Sequence, residues 1–437
     1  MFSQEKPKAE RVLLVAVARD NRLRWDAVDS LAELAALAET AGAEVVEKIL
    51  QIRQKPDPRS FVGRGKLAYL KAICSQLAID LVIFDNPLTP TQLRFIAEEL
   101  KRRTIDRTAL ILDIFALHAR SGEAKTQVEL AQLEYQYTKL TGWGRELSRL
   151  GGRSGALGGR AVGIGTRGPG ETKLEVDRRR IQERIGRLKK ELDHIERERD
   201  TQRKRRRRLL TVTMAGYTNA GKSTLLNALA AEHTFVSSRL FSTLDSTTRV
   251  VELEENIPML LTDTVGLIKN LPTQLVASFR ATLQEISEAD VVLHVADSSD
   301  RHLDQKIEVV ERHLVELGAE GIPRVLVLNK SDLLFDEIVK EKLARRYEEA
   351  TFVSALHSQG LEGLRRRIRE LAAEILIEVE VKIPRSHPEW EHRFYEAGDV
   401  LERIECPESV TLKVRGYRAL LEGLNKEFRS LLASADT

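Results

Sequence analysis

The chain has 437 residues, enough for two or three domains that each bury a core of their own. Lys+Arg 69 against Asp+Glu 66 leaves a net charge of only +3, so bulk charge gives no reason to expect a nucleic-acid partner and any such affinity must come from local clustering. Two cysteines, Cys74 and Cys406, match no metal spacing and fit a reduced cytosolic compartment, and no apolar run approaches the roughly 18 residues of a membrane span. A soluble, cytoplasmic protein, monomeric in solution, is the expectation.

The first apolar run, residues 11–19, reads as a strand and is followed by a helical stretch with Leu31, Leu34, Leu37 and Ala38 on one face. The alternation continues with strand 45–52, helix 66–77, strand 81–84 and helix 92–100, which argues for a small α/β domain with a largely parallel sheet. Gly63-Arg64-Gly65-Lys66 opens a helix, but no Ser or Thr follows the lysine, so the reading is a tight turn or an RNA-phosphate contact rather than a nucleotide site. His118 and His294 show no ligand spacing, and His294 lies inside an apolar strand.

Beyond this, Leu130, Leu133, Tyr137 and Leu140 recur at helical spacing, and Ile181, Ile185, Leu188, Leu192 and Ile195 step by four and three like a coiled-coil seam. Two helices flanking one loop predict an antiparallel hairpin, each helix about 25 residues and roughly 37 Å long. The loop, residues 142–170, is crowded with glycine and arginine. It is either a flexible linker or an RNA-binding tip, glycine allowing close backbone approach and arginine supplying forked phosphate contacts. Residues 177–208 hold many more bases than acids and end in Arg203-Lys204-Arg205-Arg206-Arg207-Arg208. A polyanion is the expected partner, folded RNA gripped through its backbone, because aromatics are too sparse for base stacking.

The chemistry is concentrated further on. Gly216-Tyr217-Thr218-Asn219-Ala220-Gly221-Lys222-Ser223-Thr224 follows an apolar strand, opens a helix and fits the phosphate-binding pattern G-x-x-x-x-G-K-[ST]. Its glycines let backbone N–H groups point inward; Lys222 would reach the β- and γ-phosphates, and the Ser223 hydroxyl would hold Mg²⁺. The polar segment Phe241-Ser242-Thr243-Leu244-Asp245 lies where a first switch belongs. Thr243, with Thr247 as the alternative, would sense the γ-phosphate and complete the Mg²⁺ shell. A further strand leads into Asp263-Thr264-Val265-Gly266, Asp263 placed to hold Mg²⁺ through water and the Gly266 N–H to meet the γ-phosphate. Asn329-Lys330-Ser331-Asp332 names the base: a carboxylate accepts from the guanine N1–H and exocyclic amine, which adenine cannot match. Asn329 would address the other edge, Lys330 the ring plane, and Ser354-Ala355-Leu356 would add backbone donors for the guanine oxygen. Lys222, Thr243 and Gly266 are the candidates for catalysis.

With these motifs in order the sequence resembles the HflX family, within the TrmE–Era–Obg–HflX class of P-loop GTPases, over nearly its whole length. Besides the nucleotide motifs, the resemblance rests on His118-Ala119-Arg120-Ser121-Gly122-Glu123-Ala124-Lys125-Thr126-Gln127-Val128-Glu129-Leu130-Ala131-Gln132-Leu133. It rests also on Gly168-Pro169-Gly170-Glu171-Thr172-Lys173-Leu174-Glu175-Val176-Asp177-Arg178-Arg179-Arg180. It implies a GTPase that hydrolyses GTP to GDP, binds the large ribosomal subunit and its rRNA through the basic arm and Gly-rich loop, and splits stalled or idle ribosomes under stress. It also implies Ser223 and Thr243 as Mg²⁺ ligands, with Asp263 beside them. Leu267 stands where many GTPases carry a water-orienting Gln, which implies slow intrinsic hydrolysis stimulated by the ribosome, and Asn219 matches the loop asparagine of potassium-activated relatives, making K⁺ a candidate cofactor. A GTPase acting on another RNA, as assembly chaperone or unwinding factor, is the alternative.

The expected fold class is α/β: an N-terminal α/β domain (1–118), a helical coiled-coil arm (119–208), a P-loop GTPase domain with a doubly wound sheet (209–373) and a small C-terminal α/β domain (374–437). For the last, the pattern predicts strand 379–383, helix 390–403, strand 410–414 and helix 420–432.

Overall fold

The computed structural model describes residues 9–151, 169–206, 209–230, 247–253, 258–269 and 280–435. They group into two compact units, one made chiefly of the residues up to Ile195, with Arg280 and Ala281 added, and the other of the remaining residues from Glu196 on.

In the first unit, strands β1 (Arg11–Ala18), β2 (Glu44–Ile52), β3 (Leu81–Phe84) and β4 (Arg103–Asp106) form a parallel sheet in the order β2-β1-β3-β4. β1 is apolar on both faces because helices cover both: α1 (Arg24–Thr40) and α4 (Arg107–His118) touch each other, as do α2 (Arg64–Gln76) and α3 (Pro90–Leu100). α3 starts on a capping box, Thr89 and Gln92 satisfying each other's backbone, with Pro90 in the first turn. β4 and α4 go beyond the sequence expectation. The strand is short, and the helix, Ala-Leu-Ile-Leu-Asp-Ile-Phe, is apolar nearly all round, so neither shows a clean period.

The arm is longer than periodicity predicts. α5 spans Gly122–Gly151 and α6 spans Pro169–Arg206, about 45 and 57 Å at the usual rise. The helix backbone therefore continues through Gly142 to Gly151, where glycine suggested a loop; helix formers such as Arg145, Glu146 and Leu147 lie between the glycines, whose cost is only about 1 kcal/mol each. Pro169 begins α6 because its fixed φ suits a first turn. Residues 152–168 of the Gly-rich loop lie outside the described residues.

The two helices run antiparallel. Arg184 grips Glu129 with two bonds (2.7 and 2.8 Å), Lys189 meets Glu134 at 2.8 Å, and the Arg178 guanidinium lies 5.7 Å from the Tyr137 ring centre. The base of the arm belongs to the first unit rather than standing apart. Asp106, 1% exposed, caps α4 through Ala109 N (3.1 Å) and accepts from Tyr135 Oη (2.8 Å), Lys139 Nζ (3.1 Å) and Leu88 N (3.3 Å). Burial, and then the Asp106 charge, push the Tyr135 hydroxyl pKa far up, so it stays a donor.

The second unit carries the six-stranded sheet β10-β9-β8-β5-β7-β6. β5 (Leu210–Gly216), β7 (Pro258–Asp263), β8 (Val291–Asp297), β9 (Arg324–Asn329) and β10 (Thr351–Phe352) are parallel, and β6 (Thr247–Glu252) pairs antiparallel at one edge. α7 (Lys222–Ala230), α8 (Arg280–Ser287), α9 (Leu303–Glu316), α10 (Glu337–Arg346) and α11 (Leu361–Ile375) complete the domain.

α11 runs directly into β11 (Leu376–Pro384), so no linker marks the expected boundary at residue 374. β11, β12 (Gly398–Glu405) and β13 (Ser409–Tyr417) make an antiparallel sheet with β13 central, covered by α12 (Glu389–Ala397) and α13 (Arg418–Ala435) around Trp390, Phe394 and Phe428. The helix expected over residues 390–403 is therefore corrected: its second half is strand β12, an edge strand so exposed that it carries no alternation. Tyr417 ties this module to the sheet that holds the phosphate loop. Its hydroxyl proton is shared between Asp290 Oδ2 (2.8 Å) and the Leu209 carbonyl (3.0 Å), and Asp290 also takes the N–H and hydroxyl of Thr211 on β5.

Replacing Asp106 removes the charge partner of the half-buried Lys139 ammonium, which keeps only the Leu88 carbonyl, and leaves three further donors, Ala109 N, Leu88 N and the Tyr135 hydroxyl, unmatched. Asp106→Ala is expected to cost the first unit about 3–5 kcal/mol, lowering the midpoint of its urea transition while GTP affinity, which resides in the other unit, stays unchanged.

Candidate functional site

β5 lies between β8 and β7, at the point where the strand order reverses, and the crevice beyond the strand ends is where such a sheet binds ligands. Four of the sequence motifs converge there. β5 ends in the phosphate loop, β7 in Asp263, β9 in Asn329, and the turn after β10 carries Ser354 and Ala355.

Two glycines are there for close approach. A Cβ on Gly216 would sit 2.2 Å from the Val295 carbonyl of β8; on Gly221, whose φ is +90°, it would sit 2.3 Å from the Asn329 amide nitrogen. The loop also places Asn219 in the left-handed region (φ +62°), which asparagine tolerates, and leaves it exposed.

Asn329 is 2% exposed and its amide joins three segments. Nδ2 donates to the Ala220 carbonyl of the phosphate loop (2.8 Å), and Oδ1 accepts from Ala355 N (3.0 Å). One Nδ2 proton remains after the main-chain bonds are made, which leaves a donor for the guanine edge that the sequence predicts it to address. Two of the three backbone donors expected for the guanine oxygen are taken, Ala355 N by Asn329 and Ser354 N by the Gln359 carbonyl (3.0 Å). Leu356, exposed, carries the third.

Asp332 holds Ser354 Oγ at 2.5 Å through Oδ1, which fixes the carboxylate, and His357 stands 3.8 Å from Oδ2. Lys330 has φ +61° and anchors its ammonium on Asp297 Oδ2 at 2.8 Å, while Ser331 N donates to the Val353 carbonyl. Asp297 was not singled out in the sequence, though its place at the end of a buried strand beside Asn329 is the signal that could have found it.

At the phosphate end, Lys222 is buried and donates to the Gly216 and Tyr217 carbonyls (3.1 and 3.2 Å). Burial pulls its pKa down, and nearby Asp263 opposes the shift. Ser223 Oγ donates to Asp263 Oδ2 at 2.5 Å, bringing two hard oxygen ligands together, and the Thr218 hydroxyl is buried without a hydrogen-bond partner among the described residues. The segment after Asp263-Thr264-Val265-Gly266 lies along the loop: Leu267 N donates to Gly216 O (3.0 Å) and Thr218 N to Leu267 O (2.9 Å). Leu267 is 1% exposed. Tyr217 Oη accepts from Lys269 N, a contact no motif announces. Thr224 continues α7, and Thr247 begins β6. Phe241, Ser242, Thr243, Leu244 and Asp245 lie outside the described residues.

A glycine loop on the central strand, a Lys-Ser pair opening the helix, an Asp at the next strand end and an Asn-Lys-x-Asp turn hooked to the loop together make a P-loop GTPase domain. Family models follow in series along the chain: a GTP-binding GTPase N-terminal region over residues 28–116, a GTP-binding GTPase middle region over 118–206 and a 50S ribosome-binding GTPase over 211–330. The GTPase HflX of Caldanaerobacter subterraneus subsp. tengcongensis is 43% identical over 407 residues, covering 92% of this chain and 90% of that one; the GTPase HflX of Escherichia coli K12 is 37% identical, covering 89% and 90%. A GTP-binding protein from Sulfolobus solfataricus, solved in complex with GDP, covers 83% of this chain and 99% of its own at 26% identity and a TM-score of 0.42. The chain belongs to the HflX family of GTPases, and it binds GTP and hydrolyses it.

Asparagine at 332 would offer an N–H where guanine needs an acceptor. Asp332→Asn is expected to weaken GTP binding by about 10³-fold or more and to favour xanthosine triphosphate, whose C2 oxygen accepts that N–H. Competition against a labelled nucleotide reads both; unchanged GTP affinity would remove Asp332 from base recognition.

Proposed function

We propose that the protein is a GTP-controlled factor of the large ribosomal subunit that splits or rescues stalled and idle ribosomes under stress, acting as a monomer in the cytoplasm. The observation that carries this reading is the arm. α5 and α6 use Arg184 and Lys189 to hold each other, while Arg180, Arg187 and Lys190 stand exposed on a helix with more bases than acids. Such a rod suits an RNA backbone, and the family description of the domain that follows it, a 50S ribosome-binding GTPase, supports rRNA as that partner. No described helix is long and apolar enough to cross a membrane.

Within the G domain, Lys222 and the loop N–H groups grip the β- and γ-phosphates, Asp332 reads the guanine, and Asn329 keeps these two ends in register. The paired oxygens of Ser223 and Asp263 fit Mg²⁺, joined by Thr243 from the first switch; the ion would neutralise charge on the phosphates. The Gly266 N–H meets the γ-phosphate and so reports its presence to the segment around Leu267. Leucine has no group to orient water, and its backbone is spent on Gly216 and Thr218, which supports slow hydrolysis until the ribosome completes the site. Asn219, exposed on the loop, would supply a ligand for K⁺ beside the phosphates.

Sedimentation with purified subunits under GDP, GTP and a non-hydrolysable analogue tests the reading. Triphosphate-dependent binding to the large subunit, with GTP turnover raised at least about tenfold by ribosomes and faster in K⁺ than in Na⁺, is expected. Equal binding under all nucleotides, or turnover indifferent to ribosomes, would contradict it.

A further inference from the structure

Just past the guanine motif, four large apolar side chains stand in water between residues 333 and 339: Leu333 is 45% exposed, Phe335 90%, Ile338 63% and Val339 41%. The local geometry holds them out. Leu333 ends the short turn Ser331–Leu333, and Asp336 caps α10 by accepting from Ile338 N at 2.9 Å. α10 has no fully buried residue; Leu343 and Tyr347, toward and beyond its far end, pack against Leu303 and Leu328, so the first turn projects. Single exposed apolar residues are ordinary, but a contiguous group that includes a phenylalanine this exposed marks an interaction surface.

Area and charge decide what covers it. The patch offers on the order of 400 Å² of apolar surface, about half of what each side of a stable interface covers, ~800 Å². A second copy of the chain would have too little to hold; a partner already engaged elsewhere on the molecule would need no more. Residues 331–339 carry three acids, Asp332, Asp336 and Glu337, and the lysines that bracket them are committed to carboxylates, Lys330 to Asp297 at 2.8 Å and Lys340 to Glu337 at 3.7 Å. An RNA base stacked on Phe335 would bring its phosphates toward Asp332 and Asp336, so the patch favours a basic partner over the polyanion that the arm attracts.

We propose that Leu333, Phe335, Ile338 and Val339 dock a basic, apolar-faced protein of the large ribosomal subunit. The partner rests on the ribosomal reading above; the patch itself does not. RNA is held by the arm and protein by the G domain, and because Leu333 directly follows Asp332, the docked protein sits on the turn that reads guanine.

The test uses the full chain loaded with a non-hydrolysable GTP analogue. Phe335→Ser combined with Ile338→Ser changes only exposed side chains, so GTP affinity and basal turnover are expected to stay unchanged. Affinity for intact large subunits is expected to fall about 10- to 100-fold, while affinity for protein-free rRNA from the same subunits stays the same. A photo-crosslinking amino acid at position 335 is expected to capture a basic ribosomal protein from purified subunits. Unchanged subunit affinity in the double variant, or crosslinks to rRNA or to a second copy of the chain, would overturn the proposal while leaving the ribosomal reading intact. A wild-type chain that fails to bind large subunits would instead overturn that reading, and the named partner with it.

Discussion

One buried amide holds the nucleotide site together. Asn329 ties the Ala220 carbonyl of the phosphate loop to the Ala355 N–H of the turn after β10, and Gly221 exists in the form it does so that this amide can approach. Without the bridge, a carbonyl and an N–H would be left buried and unmatched, at about 1–3 kcal/mol each. The loop that grips phosphate and the turn that frames guanine would then be positioned separately. With it, Asp332, locked by Ser354, and Lys222, folded against Gly216 and Tyr217, form one rigid constellation.

From that constellation the structure extends in two directions inside the second unit. Along the γ-phosphate side, Leu267 pairs with Gly216 and Thr218, so any change at the loop is felt by the segment that follows Gly266. Along the base of the sheet, Asp290 gathers Thr211 of β5 and Tyr417 of the C-terminal module, and Tyr417 also reaches the carbonyl of Leu209, the residue where the chain enters the G domain from the arm. The C-terminal module is thereby fastened to the entry of the phosphate-loop strand, a placement that suits a part whose task is to hold that strand's start steady. In the first unit Asp106 does the corresponding work, seating α5 on the sheet from which the arm rises.

The nucleotide site was legible in the sequence because its chemistry is local: strand, loop and helix signals around Gly216 to Thr224, and an Asn-Lys-x-Asp run after an apolar strand, need few long-range facts. What the sequence hid was long-range. The motif names Asn329 as a base contact, but nothing in the letters says that it also bridges Ala220 and Ala355, both distant in sequence. Asp290 and Tyr417 carry no motif, and β12 has no alternation because it lies at a sheet edge with most of its side chains in water. The ends of α5 and α6 were misjudged for the opposite reason: glycine and proline signals were strong locally, but a good helix former between glycines and a proline in a first turn leave a helix intact. The apolar run after Asp332 was visible as letters, and only its exposure made it a surface.

The most direct measurement compares GTP with 7-deaza-GTP, which lacks the ring nitrogen an asparagine amide would address, on the wild-type chain and on Asn329→Ala. If Asn329 works by joining Ala220 to Ala355, the substitution weakens both nucleotides by the same factor, about 10- to 100-fold. If the loss is large for GTP and disappears for the deaza analogue, Asn329 acts chiefly on the base, and the bridge is not what organises the site.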